Sequence, residues 1–257
     1  MVRKFLCLPG ALTNAQTMSV QLGNLVNELA SDGAAEFHFT QGTIEEEPPA
    51  DIAAWFGQPP HLRFFKYEAG VEPLSILNGL RDFEHDGGPE DAMREFLGDG
   101  SAPLRPDVRR MLDELRRTVE EEGPFYGLVG YSEGATVAAT LLVDDLRRRE
   151  AAGEPAGSSS FECAVFFHGW PPLATEGDET LLLADVAGEV ITLPTFHVVG
   201  ASDPYLVGSM ALFAVCDADK AQLFDHGKGH MVPRDAVTVK ELADRLRAFW
   251  DEVDEEE

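Results

Sequence analysis

The sequence predicts an α/β fold in which a mostly parallel sheet of six strands, or slightly more, is flanked by helices. Six short apolar runs, rich in β-branched and aromatic residues, alternate with segments of helical periodicity. The runs are almost entirely apolar rather than alternating, which is typical of strands buried on both faces. With 257 residues, 44% of them hydrophobic, the chain has enough material for one continuous core.

Each predicted element follows from one of these two patterns. The apolar runs predict six strands: Phe5 to Leu8, Glu36 to Thr40, Phe125 to Tyr131, Cys163 to His168, Thr195 to Gly200 and Gln222 to Asp225. One-sided apolar stripes predict four helices: 16–30, 105–121, 133–149 and 236–253. We expect a single domain over residues 1–253, followed by an acidic tail, 254–257, that is frayed and solvated.

Residues 42–104 interrupt the alternation. This segment is rich in proline, too aromatic for a free linker and too irregular for sheet and helix units. We therefore predict an excursion that packs like a lid over one edge of the sheet. A second irregular stretch, Ala151 to Ser160, is small and polar and predicts an exposed loop.

The charge balance excludes several kinds of partner. Lys and Arg number 20 against 46 Asp and Glu, so the formal net charge is −26 at pH 7. Such a chain repels phosphate backbones and anionic membranes, and we expect neither nucleic acid nor a membrane as a partner. Three cysteines are too few for a disulfide framework and favour a reducing compartment. Since we find neither a signal peptide nor a long apolar span, we expect a cytoplasmic protein.

A G-x-S-x-G pentapeptide, Gly130-Tyr131-Ser132-Glu133-Gly134, stands between a predicted strand and a predicted helix. A serine at such a turn adopts strained backbone geometry, and the flanking glycines permit it because side chains there would collide with neighbouring elements. The hydroxyl then projects at the positive end of the helix, where the amide of Glu133 can face a developing oxyanion. We predict Ser132 as a nucleophile; the competing interpretation is a structural turn whose serine caps the helix.

A serine nucleophile needs a base, and the base needs an orienting acid. In folds with this pentapeptide, the chain order of the three groups is Ser, Asp, His. Asp203 follows the strand that starts at Thr195, which predicts it at the carboxyl edge of the sheet, near the serine. Asp217, Asp219 and Asp225 are its competitors.

The predicted base is His230. Of the seven histidines, only His226 and His230 follow the last strand, and the glycine-rich loop around His230 can bring its imidazole over the serine. His226 remains an alternative base. The pair has the i, i+4 spacing of a metal site, but the intervening glycines argue against a helix, and we expect no metal and no cofactor.

The second oxyanion donor is predicted in the loop after the first strand, where Gly10 allows a sharp turn. We predict the amide of Ala11, with Leu12 as the alternative, to join that of Glu133. A plain strand-to-helix turn would use the same residues.

These residues resemble the fungal family of serine hydrolases often called FSH, a branch of the α/β-hydrolases. The resemblance runs through most of the chain. It rests on the segments Phe5 to Gly10 and Gly123 to Ala135, on the strand with Asp203, and on Gly229-His230 followed by Pro233. Family members commonly read leucine-histidine-glycine at the first segment and serine-glutamine-glycine at the second. Here Pro9 replaces the histidine and Glu133 the glutamine.

The resemblance implies an esterase or thioesterase, and several relatives release or trim carrier-bound acyl chains in fungal polyketide pathways. We therefore expect a small-molecule or carrier-bound acyl substrate and an acyl-enzyme intermediate. The aromatic excursion and the loop His168-Gly169-Trp170-Pro171-Pro172 are expected to wall an apolar acyl pocket. The alternatives are an acyltransferase or cyclase, and a non-catalytic binding module.

Overall fold

The computed structural model describes residues 2–31, 33–50, 53–67, 87–97, 103–177 and 179–255. Eight strands lie in these ranges: β1 Arg3–Leu8, β2 Ala35–Phe39, β3 Ile44–Glu45, β4 Leu62–Arg63, β5 Gly127–Tyr131, β6 Cys163–Phe167, β7 Thr195–Val199 and β8 Ala221–Asp225. Eight α-helices lie there too: α1 Ala15–Gln21, α2 Gly23–Ala30, α3 Pro89–Leu97, α4 Arg105–Glu122, α5 Glu133–Ala151, α6 Ala184–Ala187, α7 Leu206–Ala214 and α8 Ala236–Glu255.

Six of the strands form one parallel sheet in the order β2-β1-β5-β6-β7-β8. The predicted fold class is confirmed, and each of the six predicted strands corresponds to one of these. The chain moves outward from β1 to β2 and then returns to β5 on the other side of β1. At such a reversal the connections leave in opposite directions, which opens a crevice at the carboxyl ends of the strands.

The four inner strands, β1, β5, β6 and β7, are largely buried on both faces, as the apolar runs predicted, whereas the edge strands β2 and β8 are partly exposed. Along β1, Phe5 and Cys7 pack into one core with helices α1, α2 and α8, while Leu6 and Leu8 pack into the other with α4 and α5. All four side chains are fully buried. This arrangement fixes the register of the strands, because a shift by one residue would exchange the two cores.

All four predicted helices differ from the structure in their bounds, three of them by only one or two residues at the C-terminal end. The predicted helix 16–30 is two helices, α1 and α2, which join at Leu22. Asn14 begins the first of them by accepting a hydrogen bond from the Thr17 amide, 2.9 Å away. Helix α8 runs to Glu255, so the frayed backbone predicted for the tail is wrong for the exposed residue Asp254. Its carboxylate accepts hydrogen bonds from Arg3 and from the Tyr126 hydroxyl, the latter at 2.7 Å.

The excursion, residues 42–104, is more regular than the sequence predicted. Strands β3 and β4 form a two-stranded antiparallel ladder, residues 53–55 form a 3₁₀ turn, and helix α3 closes the segment. Two-residue strands are too short to show a period, and the helix has its proline in the first turn, where it breaks no hydrogen bond. Residues 68–86 of the excursion lie outside the described part of the chain.

Helix α7 also escaped the sequence prediction. Its residues are apolar on all sides, so no one-sided stripe marks it as a helix. No helix in the ranges that the structure describes is long and apolar enough to cross a membrane.

Candidate active site

The turn between β5 and α5 holds Ser132 in a strained conformation, with φ 55° and ψ −121°. Its amide donates to the carbonyl oxygen of Phe167 on β6 at 2.8 Å. A Cβ on Gly130 would lie 2.4 Å from the Cα of Ala135, and one on Gly134 would lie 2.0 Å from the carbonyl oxygen of Leu8. The two glycines therefore let the helix approach β1 and β5 closely enough to present the serine at the sheet edge.

Asp203 lies in the turn after β7. Its amide donates to the Gly200 carbonyl at 2.9 Å, and its carboxylate is fully buried. Oδ1 accepts the Tyr205 amide at 2.8 Å. Burial raises the pKa of this carboxyl, but hydrogen bonds from His168 and His230 outweigh the burial and hold the pKa well below its usual range.

His230 lies in the loop between β8 and α8. Its Nδ1 lies 2.8 Å from Asp203 Oδ2, and its Nε2 lies 3.0 Å from Ser132 Oγ. The loop is attached to the turn of Asp203 because the Ser202 amide donates to the Lys228 carbonyl at 3.1 Å. Desolvation lowers the pKa of His230 more than Asp203 raises it, so the imidazole is neutral at neutral pH.

The structure thus brings together the three side chains that the sequence singled out. The competing carboxylates lie elsewhere: Asp225 Oδ1 accepts the amides of Ala201 and Gly227, and Asp217 Oδ1 accepts the amide of Asp219. The alternative base, His226, contacts another histidine, His168, with 3.1 Å between their Nε2 atoms.

The predicted oxyanion donors flank the serine. Ala11, Leu12 and Glu133 all line the same cleft as Ser132. Within the described part of the chain, the amides of Ala11 and Glu133 have no protein acceptor. Leu12 has a positive φ of 57°, and its carbonyl oxygen lies 3.0 Å from Nδ1 of the buried His61. The loop after β1 is therefore held from the excursion side, a contact that the sequence did not indicate.

Sequence reasoning also missed the environment of the Glu133 side chain. Oε2 accepts the Arg63 Nε at 3.0 Å, and Oε1 accepts the Phe64 amide at 3.1 Å. Both members of this ion pair are buried, and the Arg63 guanidinium also lies 5.0 Å from the centre of the Tyr67 ring. The pair connects β4 in the excursion to the residue that follows the nucleophile.

The sequence also did not indicate the hydrogen bond between His168 and Asp203. Both Asp203 and His168 are polar residues that directly follow buried strands, which is the signal that could have found the second one. Ligand-type atoms of His168, Asp203 and His230 lie within 4.8 Å of one another, a spacing that a metal ion could use. Here the contacts are explained by hydrogen bonds, because both imidazoles reach the same carboxylate oxygen.

The serine opens into a mostly apolar cleft with an empty volume of about 830 Å³, its open mouth included. The excursion contributes Phe56, Phe65, Tyr67 and Pro103 to the wall, and the segment after β6 contributes Trp170, Leu173 and Leu181. Residues of both segments that were expected to form a pocket therefore face Ser132 across one cavity.

A parallel sheet of this order, with a serine on the turn after β5, has the architecture of the α/β-hydrolases. Solved structures share the fold. Esterase PE8 matches with a TM-score of 0.55 over 97% of this chain and 93% of its own, at 16% identity. A carboxylesterase from Mesorhizobium loti matches with a TM-score of 0.51 over 96% and 88%, also at 16% identity.

The chain belongs to the serine hydrolase (FSH1) family, whose pattern it matches over residues 1–242. Hydrolase phiM of Talaromyces stipitatus is 28% identical over 93% of this chain and 84% of its own length. Esterase FPY3 of Fusarium mangiferae is 27% identical over 95% and 94%, and esterase citA of Monascus ruber 25% over 95% and 90%. The predicted family is confirmed, and the chain is a serine hydrolase of the esterase type.

Proposed function

We propose that this esterase cleaves an ester or thioester of an apolar acyl chain through an acyl-enzyme on Ser132. The observation that supports this most directly is the continuous hydrogen-bonded series from Ser132 Oγ through His230 to Asp203, at 3.0 and 2.8 Å. A serine hydroxyl is a weak nucleophile, and a neutral imidazole at this distance is positioned to take its proton.

The mechanism has two halves. In the first, Ser132 Oγ forms a bond to the acyl carbonyl carbon while its proton passes to His230 Nε2, and the charge on the carbonyl oxygen is stabilised by the amides of Ala11 and Glu133. The imidazolium, stabilised by Asp203, then gives that proton to the leaving alcohol or thiol as the carbon–leaving-group bond breaks. In the second half, water attacks the acyl-enzyme, His230 takes the proton of the water and returns it to Ser132, and the free acid leaves.

The apolar cleft at Ser132 is the observation that supports an apolar acyl group in the substrate. Its wall is mostly aromatic and aliphatic, and the other lining groups are the Arg63–Glu133 ion pair, two threonines, and the serine and histidines of the candidate site. The leaving group is a small alcohol or thiol, or the thiol of a carrier domain that delivers an acyl chain, as the family resemblance implies for polyketide pathways. With a formal net charge of −26, the protein disfavours nucleic acid and anionic membranes as partners. The proposed location is the cytoplasm.

Removing the nucleophile tests this function. We expect Ser132→Ala to lower kcat/KM for p-nitrophenyl butyrate and for an acyl N-acetylcysteamine thioester by about four to six orders of magnitude, while the melting temperature stays within a few degrees. Intact-mass analysis should show one fluorophosphonate adduct on the wild type and none on the variant.

A matched control is Ser209→Ala. Ser209 is a buried serine. Among the residues that the structure describes, its hydroxyl has no hydrogen-bond partner and it does not line the cleft, so this variant should keep both activity and labelling. Unchanged turnover in Ser132→Ala would refute the mechanism. Transfer to an added alcohol or amine in place of release of the free acid would assign the chain to the acyltransferases instead.

A further inference from the structure

His168, the residue after β6, is bonded to the candidate catalytic groups although the mechanism above makes no use of it. The imidazole is fully buried, and its Nδ1 lies 2.6 Å from Asp203 Oδ2, the same oxygen that faces His230. On its other side, Nε2 lies 3.0 Å from the carbonyl oxygen of Met231, the residue after His230. One ring thus contacts both the acid and the segment that carries the base.

The hydrogen-bond partners assign the protons of this network. The Lys228 amide donates to His226 Nδ1 at 3.2 Å, so a neutral His226 has its proton on Nε2, which faces His168 Nε2 at 3.1 Å. Nδ1 of His168 lies 2.6 Å from Oδ2 of Asp203, and a carboxylate oxygen only accepts, so Nδ1 has a proton and donates it to Asp203.

We propose that His168 is a positioning residue for the reaction: its Nδ1–H fixes the Asp203 carboxylate in the one orientation that serves His230. This inference rests on the proposed function of Ser132, His230 and Asp203. Oδ1 of Asp203 is fixed by the Tyr205 amide, and Oδ2 receives both imidazoles. Without His168, the bond to His230 is the only side-chain contact that orients Oδ2 among the described residues.

The backbone of His168 is strained, and a strained residue persists only where the surrounding structure holds it in place. His168 has a positive φ of 53°, which costs free energy for a residue other than glycine, and its amide is held by the Val198 carbonyl at 3.1 Å. This conformation directs the ring toward the turn after β7. Asparagine adopts positive φ more readily than other side chains do, which makes it a favourable replacement.

Loss of His168 should also change the pH profile. Four titratable groups face the pair of His168 and His230 from the neighbouring elements, namely Asp203, Tyr205, His226 and Tyr131. The charges of Asp225 and Lys228 act on His226. Desolvation is the main cause that lowers the pKa of His230, and His168 adds to it, whereas Asp203 raises it. Without His168, the Asp203 carboxylate accepts an imidazole hydrogen bond from His230 alone and stabilises the charged form of His230 more strongly. The pKa of His230 therefore rises, and the acid limb of the pH profile of kcat/KM moves to higher pH.

The test compares three variants that keep different parts of the ring. In His168→Asn, the side-chain amide nitrogen stands where Nδ1 stood and can donate to Asp203. In His168→Gln it stands where Nε2 stood, and in His168→Phe neither donor remains. Activity with p-nitrophenyl butyrate, pH profiles and melting temperatures are measured, with active sites counted by fluorophosphonate titration.

We expect His168→Phe and His168→Gln to lose about tenfold to a hundredfold in kcat with little change in KM, and their acid limbs to move to higher pH. His168→Asn should keep kcat within about threefold of the wild type. His197→Asn is the matched control, since His197 is equally buried but contacts Thr195 and the rings of Phe166 and Phe213. It should keep the wild-type kcat per active site and the wild-type acid limb.

Each outcome separates the two proposals. A wild type that takes up no fluorophosphonate overturns the proposed function itself. A labelled wild type whose His168→Phe variant has the same kcat and the same acid limb overturns only the role of His168. If His168→Phe does not fold, the Asn and Gln variants decide, and equal kcat in those two overturns the inference.

Discussion

Glu133 has two roles that conflict unless its charge is cancelled. In the proposed mechanism its amide stabilises the developing oxyanion, while the carboxylate of the same residue is buried. A buried negative charge near a developing oxyanion would raise the barrier to its formation. Arg63 lies 3.0 Å from that carboxylate through Nε, is itself buried, and neutralises it.

A double-mutant cycle tests this cancellation. Arg63→Met leaves the Glu133 carboxylate buried without its partner, and we expect it to lower kcat/KM about tenfold or more and to destabilise the fold by about 3–5 kcal/mol. Arg63→Met combined with Glu133→Gln removes the charge as well and should recover most of both losses. The measurement is kcat/KM and urea unfolding for the two single variants and the double variant. Additive effects of the two substitutions would show that the charges act independently.

Residue patterns in the sequence predicted Ser132, Asp203 and His230 because each follows a strand and the chain order is specific. They placed His168 in the pocket wall, but they predicted neither its hydrogen bond to Asp203 nor the ion pair of Arg63 with Glu133. The contacts of those two residues join segments 35 and 70 positions apart, and no local pattern indicates which buried polar side chains will meet. A polar residue directly after a buried strand was the one signal available for His168.

Among the elements, the contact of α5 with β1 is the closest to the chemistry. Gly134 lies on the first turn of α5, and a Cβ there would lie 2.0 Å from the Leu8 carbonyl oxygen. The helix must therefore move away from the sheet if any side chain is added. Because Ser132 is anchored at the start of the same helix, that movement would displace the hydroxyl from His230.

Gly134→Ala should therefore be harmful although alanine is the better helix former. We expect a loss of about 1–3 kcal/mol in unfolding free energy, as for other overpacked positions, and a drop in kcat/KM of about a hundredfold. Gly23→Ala at the start of α2 is the matched control and should be neutral or stabilising. Apart from its chain neighbours and its own helix backbone, no atom in the described part of the chain lies within 4 Å of the added Cβ. Thermal melts and ester hydrolysis of both variants provide the comparison, and equal behaviour would exclude the close approach as a constraint.

The inner strands were predictable because a sheet buried on both faces leaves continuous apolar runs in the sequence. Elements with weaker patterns were not. Helix α7 is apolar on all sides, and β3 and β4 contain two residues each, so neither has a period to detect. The single stripe over residues 16–30 concealed the break at Leu22, since both helices bury the same side.

At the scale of the whole molecule, the cleft lies between two parts of the chain that are separate in the sequence. The sheet edge contributes the reacting groups, and the excursion contributes much of the apolar wall. Two adjacent aromatic residues of the excursion differ in position: Phe56 is half-buried and lines the cleft, while Trp55 is 78% exposed.

These two residues form a natural pair for testing the acyl pocket. For p-nitrophenyl esters of increasing length, we expect kcat/KM to rise about fourfold for each added methylene until the cleft is filled, since each buried methylene contributes about 0.8 kcal/mol. Phe56→Ala should lower this gain for longer chains and leave acetate hydrolysis nearly unchanged. Trp55→Ala should behave like the wild type. A flat dependence on chain length would argue against an apolar acyl pocket.

The ion pair between Arg63 on β4 and Glu133, the residue after Ser132, also limits which other segment could replace the excursion. Because the wall and the reacting groups come from separate stretches of chain, grafting the excursion of a relative onto this sheet should transfer substrate preference and keep reactivity. The graft succeeds only if it brings a cation to the position of Arg63, or if Glu133 becomes neutral at the same time. Divergence of this enzyme toward new acyl groups is therefore expected to change residues 63 and 133 as a pair.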